Sequence, residues 1–140
     1  LVAQRRTNDG PRCLPGHNDG SFFRCLHTEN SPLNYPRNQD RGITARIDLV
    51  QIGNTRILTI PGEALPNIGS YLKRKMGSDH TFLFGLTNDA FGYILTRVDF
   101  NSFPRYDDVS RTSLGEETGE FLIRQSLRLI QRMDRKTFRR

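Results

Sequence analysis

A chain of 140 residues is the size of one domain and can bury a respectable core. Only 35% of it is hydrophobic and it has no tryptophan, so the core is expected in part of the chain, with a polar remainder. The net charge of +6 and pI near 9.9 point towards anionic partners, yet no apolar run approaches the ~18 residues of a membrane span and no nucleic-acid motif is visible. The densest cations, Arg132, Arg135, Lys136, Arg139 and Arg140, read as a solvated end. The start, Leu1-Val2-Ala3-Gln4-Arg5-Arg6, lacks the apolar stretch of a secretory signal.

Residues 1–42 are dense in turn chemistry: Asn8-Asp9-Gly10-Pro11, Leu14-Pro15-Gly16, Asn18-Asp19-Gly20, Ser31-Pro32 and Tyr35-Pro36. An irregular arm is expected there, with one short strand at Ser21–Leu26. Such an arm is uncommon in a complete compact domain. Regular structure is expected from Ile43. Ala45–Ile52 has the partial alternation of a half-buried strand, Gly53-Asn54 suits a two-residue turn, and Thr55–Ile60 returns as its partner. Pro61-Gly62 ends that strand, because proline cannot donate a ladder hydrogen bond and glycine adopts angles that others avoid. Leu65, Ile68, Leu72 and Met76 then recur at helical spacing. Pro66 falls in the first turn, Lys73-Arg74-Lys75 near the negative pole of the dipole, and Gly77 is a natural stop. Thr81–Phe84 is expected to be a short buried strand, and residues 94–112 loop with short extended pieces. A last helix is expected from Thr118 to Met133, with Leu122, Leu129, Ile130 and Met133 inward and Arg124, Arg128 and Arg132 outward. The fold class is therefore α/β: a mixed β-sheet with a hairpin, two packed helices and an irregular N-terminal arm (1–42) preceding the folded part (43–140).

Two strands thus end in loops that carry polar side chains. Glu63 follows Pro-Gly directly, where the ordinary role of a carboxylate is to accept N–H bonds at the first turn of the next helix. Tyr93 closes the loop Gly85–Gly92, where a tyrosine usually packs its ring and hydrogen-bonds its hydroxyl. Asn88 and Asp89 suit Asx-type turn bonds. Cys13, His17, Cys25 and His27 form a C-x3-H-x7-C-x-H array that fits no common zinc finger. One disulfide closing a short loop is favoured over a zinc site, with two free thiols as the third state.

Pro61-Gly62-Glu63, followed by Gly85-Leu86-Thr87-Asn88 and Tyr93, resembles the later part of the catalytic domain of neutral, non-lysosomal ceramidases. The resemblance runs on through Arg105-Tyr106-Asp107 and Ser113–Glu120 and covers roughly residues 43–134. It implies that Glu63 and Tyr93 help to hold a catalytic zinc. It also implies, with one extra residue of spacing, that Tyr106 donates to the oxyanion formed during amide hydrolysis. The family's zinc-binding histidines lie far upstream in a His-x-His segment. This chain has only His17, His27 and His80, none in such a motif, so it carries about half of a pocket.

The function so implied is the C-terminal portion of a zinc-dependent amidohydrolase that splits N-acyl sphingosines, inactive by itself. The alternative is a non-catalytic stand-alone binding module with a basic surface. The expected partners are a ceramide-like lipid substrate or the remainder of the catalytic domain. A peripheral membrane surface and a second copy of the chain are also compatible with the composition; a specific nucleic acid is not expected. A disulfide in a turn-rich arm suits a secreted or periplasmic protein.

Overall fold

The computed structural model of the protein describes residues 13–15, 22–26, 42–102, 104 and 107–137. The elements run β1 (Cys13–Pro15), β2 (Phe22–Leu26), β3 (Gly42–Arg46), β4 (Leu49–Ile52), β5 (Thr55–Thr59), β6 (Glu63–Ala64), α1 (Pro66–Met76), β7 (His80–Phe84), β8 (Tyr93–Ile94), α2 (Asp107–Arg111) and α3 (Thr118–Thr137). The class is α/β, as expected. In the sheet of order β4-β5-β7, β4 runs antiparallel and β7 parallel to β5. An antiparallel sheet, β1-β2-β3, and a parallel pair, β6-β8, accompany it.

Two pieces of the arm are strands. β2 coincides with the expected segment, whereas β1 falls on Leu14-Pro15, where turn chemistry pointed to a loop. β1 is an edge strand, the place in a sheet where a proline is tolerated. The register sets Cys13 opposite Cys25. The side chains of both, with His17 and His27, lie outside the described residues.

The strand expected over Ala45–Ile52 is broken. Ile43, Ala45 and Ile47 alternate into the core, and the chain then changes partner at Asp48, so that β3 pairs with β2 and β4 with β5. Thr59 holds the break from across the sheet. The Asp48 N–H donates to Thr59 Oγ1, and the Thr59 N–H donates to the Asp48 carbonyl, each at 2.9 Å. Gly53-Asn54 makes the hairpin turn as expected, with Gly53 at φ 59°.

The helices supply the other layer. Ile68, Leu72 and Met76 of α1 are buried, and the helix stops at Gly77 in the left-handed region (φ 57°, ψ 45°). α3 runs four residues past Met133 and buries Phe121, Leu122 and Ile130, while Leu129 and Met133 are only half-buried. These side chains meet Ile43, Leu58, Ile60, Phe91 and Ile94 in one core. Arg56 joins the two helices to the sheet: its guanidinium donates to the Met76 carbonyl at the end of α1 and pairs with Asp134 of α3 at 2.7 Å. β7 departs from its expected burial. Leu83 turns towards the helices, but Phe82 and Phe84 are 48% and 49% exposed, because the helices cover one face of the sheet only. Within 94–112, where loop and extended pieces were expected, the chain forms the short helix α2.

Candidate functional site

The site is built where β5 and β7 leave their sheet. After Thr59 the chain does not run straight into a helix. It passes through Pro61-Gly62, changes partner, and pairs with β8 before α1 begins at Pro66. Backbone hydrogen bonds hold the crossing throughout. The Ile60 N–H donates to the Phe84 carbonyl (2.9 Å), Phe91 N–H to Pro61 (2.8 Å), Leu86 N–H to Gly62 (3.0 Å) and Glu63 N–H to Gly92 (2.8 Å). The two loops approach too closely for side chains. A Cβ on Gly62 would lie 2.7 Å from the Gly92 carbonyl oxygen, and one on Gly85 3.1 Å from the Gly62 oxygen.

This crossing places the residues singled out from the sequence. β5 and β7 are parallel neighbours joined by α1, and their exits lie at one sheet edge. The short parallel pair that follows sets Glu63 directly against Tyr93, and Ala64 against Ile94. Neighbouring strands lie ~4.8 Å apart, and side chains alternate along each strand. Ile94 is buried in the core, so Glu63 and Tyr93 share the opposite side of the ladder. Glu63 is exposed and Tyr93 half-exposed. Tyr106 lies outside the described residues.

Glu63 does not cap α1. The N-cap is Leu65, no side chain caps the helix, and its first turn holds no acidic residue. The Ile68 N–H is met by Asn67 Oδ1 at 2.9 Å. Among the described residues no side chain bonds the Glu63 carboxylate. Asp89 makes the expected local bond, accepting from the Ala90 N–H at 2.9 Å. Asn88 does more than the sequence suggested. At φ 70° its amide donates to Asp48 Oδ2 (3.1 Å), which ties the loop of β7 to the break between β3 and β4. Nothing in the spacing of Asp48 and Asn88, forty residues apart, signals that contact.

His80 does not join the site. It opens β7 opposite Thr55, four residues from the exit at Phe84, or roughly 13 Å along the strand. Among the described residues no group of three His, Cys, Asp or Glu side chains is placed to hold a metal ion. No described helix is long and apolar enough to cross a membrane. Just beyond the ladder lies an apolar cavity of about 430 Å³, lined by Leu65, Pro66, Leu95 and Val109, with Asn67, Asp99 and Ser102 as polar members. The Asn67 amide donates to Asp99 Oδ2 at 2.7 Å, and Thr96 Oγ1 donates to the same oxygen at 2.5 Å.

No protein-family model matches the sequence, and no curated protein matches it. Solved structures do share the fold. A ceramidase complexed with C2 superposes with a TM-score of 0.57 over 69% of this chain at 17% identity. The neutral ceramidase from Pseudomonas aeruginosa gives 0.50 over 64% at 20% identity. The chain spans only 15–16% of the length of those two proteins.

Proposed function

We propose that the chain is the C-terminal portion of the catalytic domain of a neutral-ceramidase-like, zinc-dependent amidohydrolase, in which Glu63 and Tyr93 are two of the metal's protein ligands. The observation that carries this reading is the register, which sets a carboxylate with no side-chain partner among the described residues beside a phenol. Two oxygen donors on one side of a ladder fit part of a zinc site, whose usual complement is three or four protein ligands. His80, the one histidine among the described residues, sits at the far end of its strand, so the nitrogen donors would come from outside the described residues. Zinc held there would polarise an amide carbonyl or activate the attacking hydroxyl. The chain's own contributions are to orient the metal through Glu63 and Tyr93 and to donate the Tyr106 phenol to the developing oxyanion. The apolar cavity beside the ladder suits an alkyl chain, and thus a ceramide-like lipid.

A non-catalytic binding module is the second reading, favoured by the incomplete donor set among the described residues. One experiment separates them. The isolated chain is expected to leave an N-acyl sphingosine analogue intact, with or without added zinc. A longer product that supplies histidines is expected to bind zinc and to lose it on Glu63→Ala or Tyr93→Phe, read by metal content. Zinc content indifferent to both substitutions would leave the binding module standing. Zinc-dependent turnover by the 140-residue chain itself, lost in Glu63→Ala, would show that its own residues complete the site.

A further inference from the structure

The sheet of β4, β5 and β7 has two unlike faces. One lies under α1 and α3, with Leu58 fully buried and Arg56 7% exposed. The other carries Val50 and Ile52 of β4, Ile57 of β5, and Phe82 and Phe84 of β7. The register sets Val50 beside Ile57 and Ile57 beside Phe82, so an apolar row crosses all three strands. Val50 and Ile52 are 44% and 65% exposed, and the rings of Phe82 and Phe84 lie 6.4 Å apart. His80 is the only ionisable side chain on this face of the three strands.

All-parallel sheets are normally covered on both faces, and antiparallel ones can leave one face to water when it is polar; this sheet is mixed, and its open face is apolar. The chain's own undescribed segments are poor candidates for the cover. The two longest, 1–12 and 27–41, hold as large apolar side chains only Leu1, Val2, Leu33 and Tyr35. A membrane surface is disfavoured because Lys73, Arg74 and Lys75 belong to a helix on the other face. A second copy is disfavoured by size. Three strands of about five residues present roughly 14 by 17 Å, well short of the ~800 Å² per partner of a stable dimer. That footprint matches one or two helices, which pack 8–10 Å apart.

We propose that this face seats a further helical layer supplied by polypeptide outside these 140 residues, so that the sheet is the middle of a three-layer α/β sandwich. The layer is amphipathic and apolar towards Ile57 and Phe82; among the described residues it would meet charge only at the two ends of the strands, His80 at one and Asp48 at the other. The proposal rests on the reading of the chain as a portion of a larger ceramidase-like domain, whose solved counterparts are roughly four to five times its length, since the matched 64–69% of this chain is 15–16% of theirs.

The test compares the isolated chain with the product of its complete reading frame. With Ile52→Cys, iodoacetamide labelling at position 52 is read by peptide-resolved mass spectrometry. Fast labelling is expected in the isolated chain, slowed by at least about tenfold in the complete product. Phe82→Glu supplies a second readout. It is expected to leave the thermal midpoint of the isolated chain unchanged and to lower the midpoint or soluble yield of the complete product. Equal labelling, equal tolerance of the glutamate, or a reading frame no longer than this chain would overturn the proposal. So would a dimer, or binding to phosphatidylserine vesicles, that Phe82→Glu abolishes in the complete product. Zinc content keeps the two readings apart. If position 52 stays open while zinc still depends on Glu63, the catalytic reading stands and the covering layer falls.

Discussion

The two ends of the β5–β7 ladder are held by different chemistry. At the entrance, side chains do the fastening. The Asn54 amide donates to Asp79 Oδ2 at 2.8 Å, Ser78 Oγ donates to the Asn54 carbonyl, and Arg56 reaches both the end of α1 and Asp134 of α3. At the exit, backbone does most of it. Carbonyls and N–H groups of Ile60 to Glu63 and of Phe84 to Gly92 pair directly, and glycines let them approach. An end fastened by side chains has spent them on stability. The exit's side-chain bonds, from Thr87 to the Phe84 carbonyl and between Thr59, Asn88 and Asp48, leave the Glu63 carboxylate without a side-chain partner among the described residues. The same sheet thus keeps the buried guanidinium of Arg56 and its candidate chemistry apart by the length of a strand.

The difference can be broken most severely at the exit, where Gly62→Ala puts a methyl 2.7 Å from the Gly92 carbonyl oxygen. The nearest obstacle is backbone and the next is the buried Ile94 side chain at 3.0 Å, so the strands cannot yield without losing bonds that make the crossing. A loss of about 3 kcal/mol is expected, the upper part of the range for overpacking a tight site. Gly53→Asn is the control. The hairpin turn is open space, with nothing within 4 Å of an added Cβ, and asparagine tolerates its positive φ. Denaturant midpoints of the two variants read the contrast; a Gly62→Ala midpoint within error of wild type would show that the exit is not held by backbone proximity.

Arg56→Met tests the entrance with a smaller effect. The methionine keeps most of the apolar stem but removes the bond to the Met76 carbonyl and the partner of Asp134. Hydrogen bonds to a charged group contribute about 1.5–3 kcal/mol, and Asp134 is 47% exposed and can rehydrate, so a loss of about 2 kcal/mol is expected. Urea unfolding measures it. A variant as stable as wild type would place the fastening of α1 and α3 in the apolar core alone.

Local rules made the exit legible in the sequence and the entrance mostly not. Proline and glycine announce a strand's end through their own backbone properties, and the stripe Ile68, Leu72, Met76 with Gly77 announces α1. The break at Asp48 has no such mark, because it is set by Thr59 from across the sheet. Arg56 sits between Thr55 and Ile57 like any strand residue, and its burial follows from two helices arriving on that face. The exposure of Phe82 and Phe84 was hidden for a related reason: an apolar run reads as buried on both faces whether or not a second layer covers it. Glu63 was legible as a strand-exit carboxylate. Its freedom from the helix was not, since that depends on two extra strand residues placed by pairing with β8.

The smallest expected effect is the one that bears most on the site. If Glu63 served α1 as a cap or first-turn acid, its removal would cost about 1 kcal/mol. The helix starts three residues further on, at Pro66, its Ile68 N–H is bonded to Asn67 Oδ1, and the Glu63 carboxylate is exposed. Glu63→Gln and Glu63→Ala are therefore expected to leave the stability of the isolated chain within about 0.5 kcal/mol of wild type, the ordinary range for a surface substitution. Asn67→Ala, which removes one of the two acceptors of the Ile68 N–H (the Leu65 carbonyl is the other) and the amide bond to Asp99, should cost more than either. Parallel urea curves of the three variants decide the order. A Glu63→Ala loss equal to or greater than that of Asn67→Ala would return the carboxylate to a structural role in the helix and remove the reason to look for a ligand beside Tyr93.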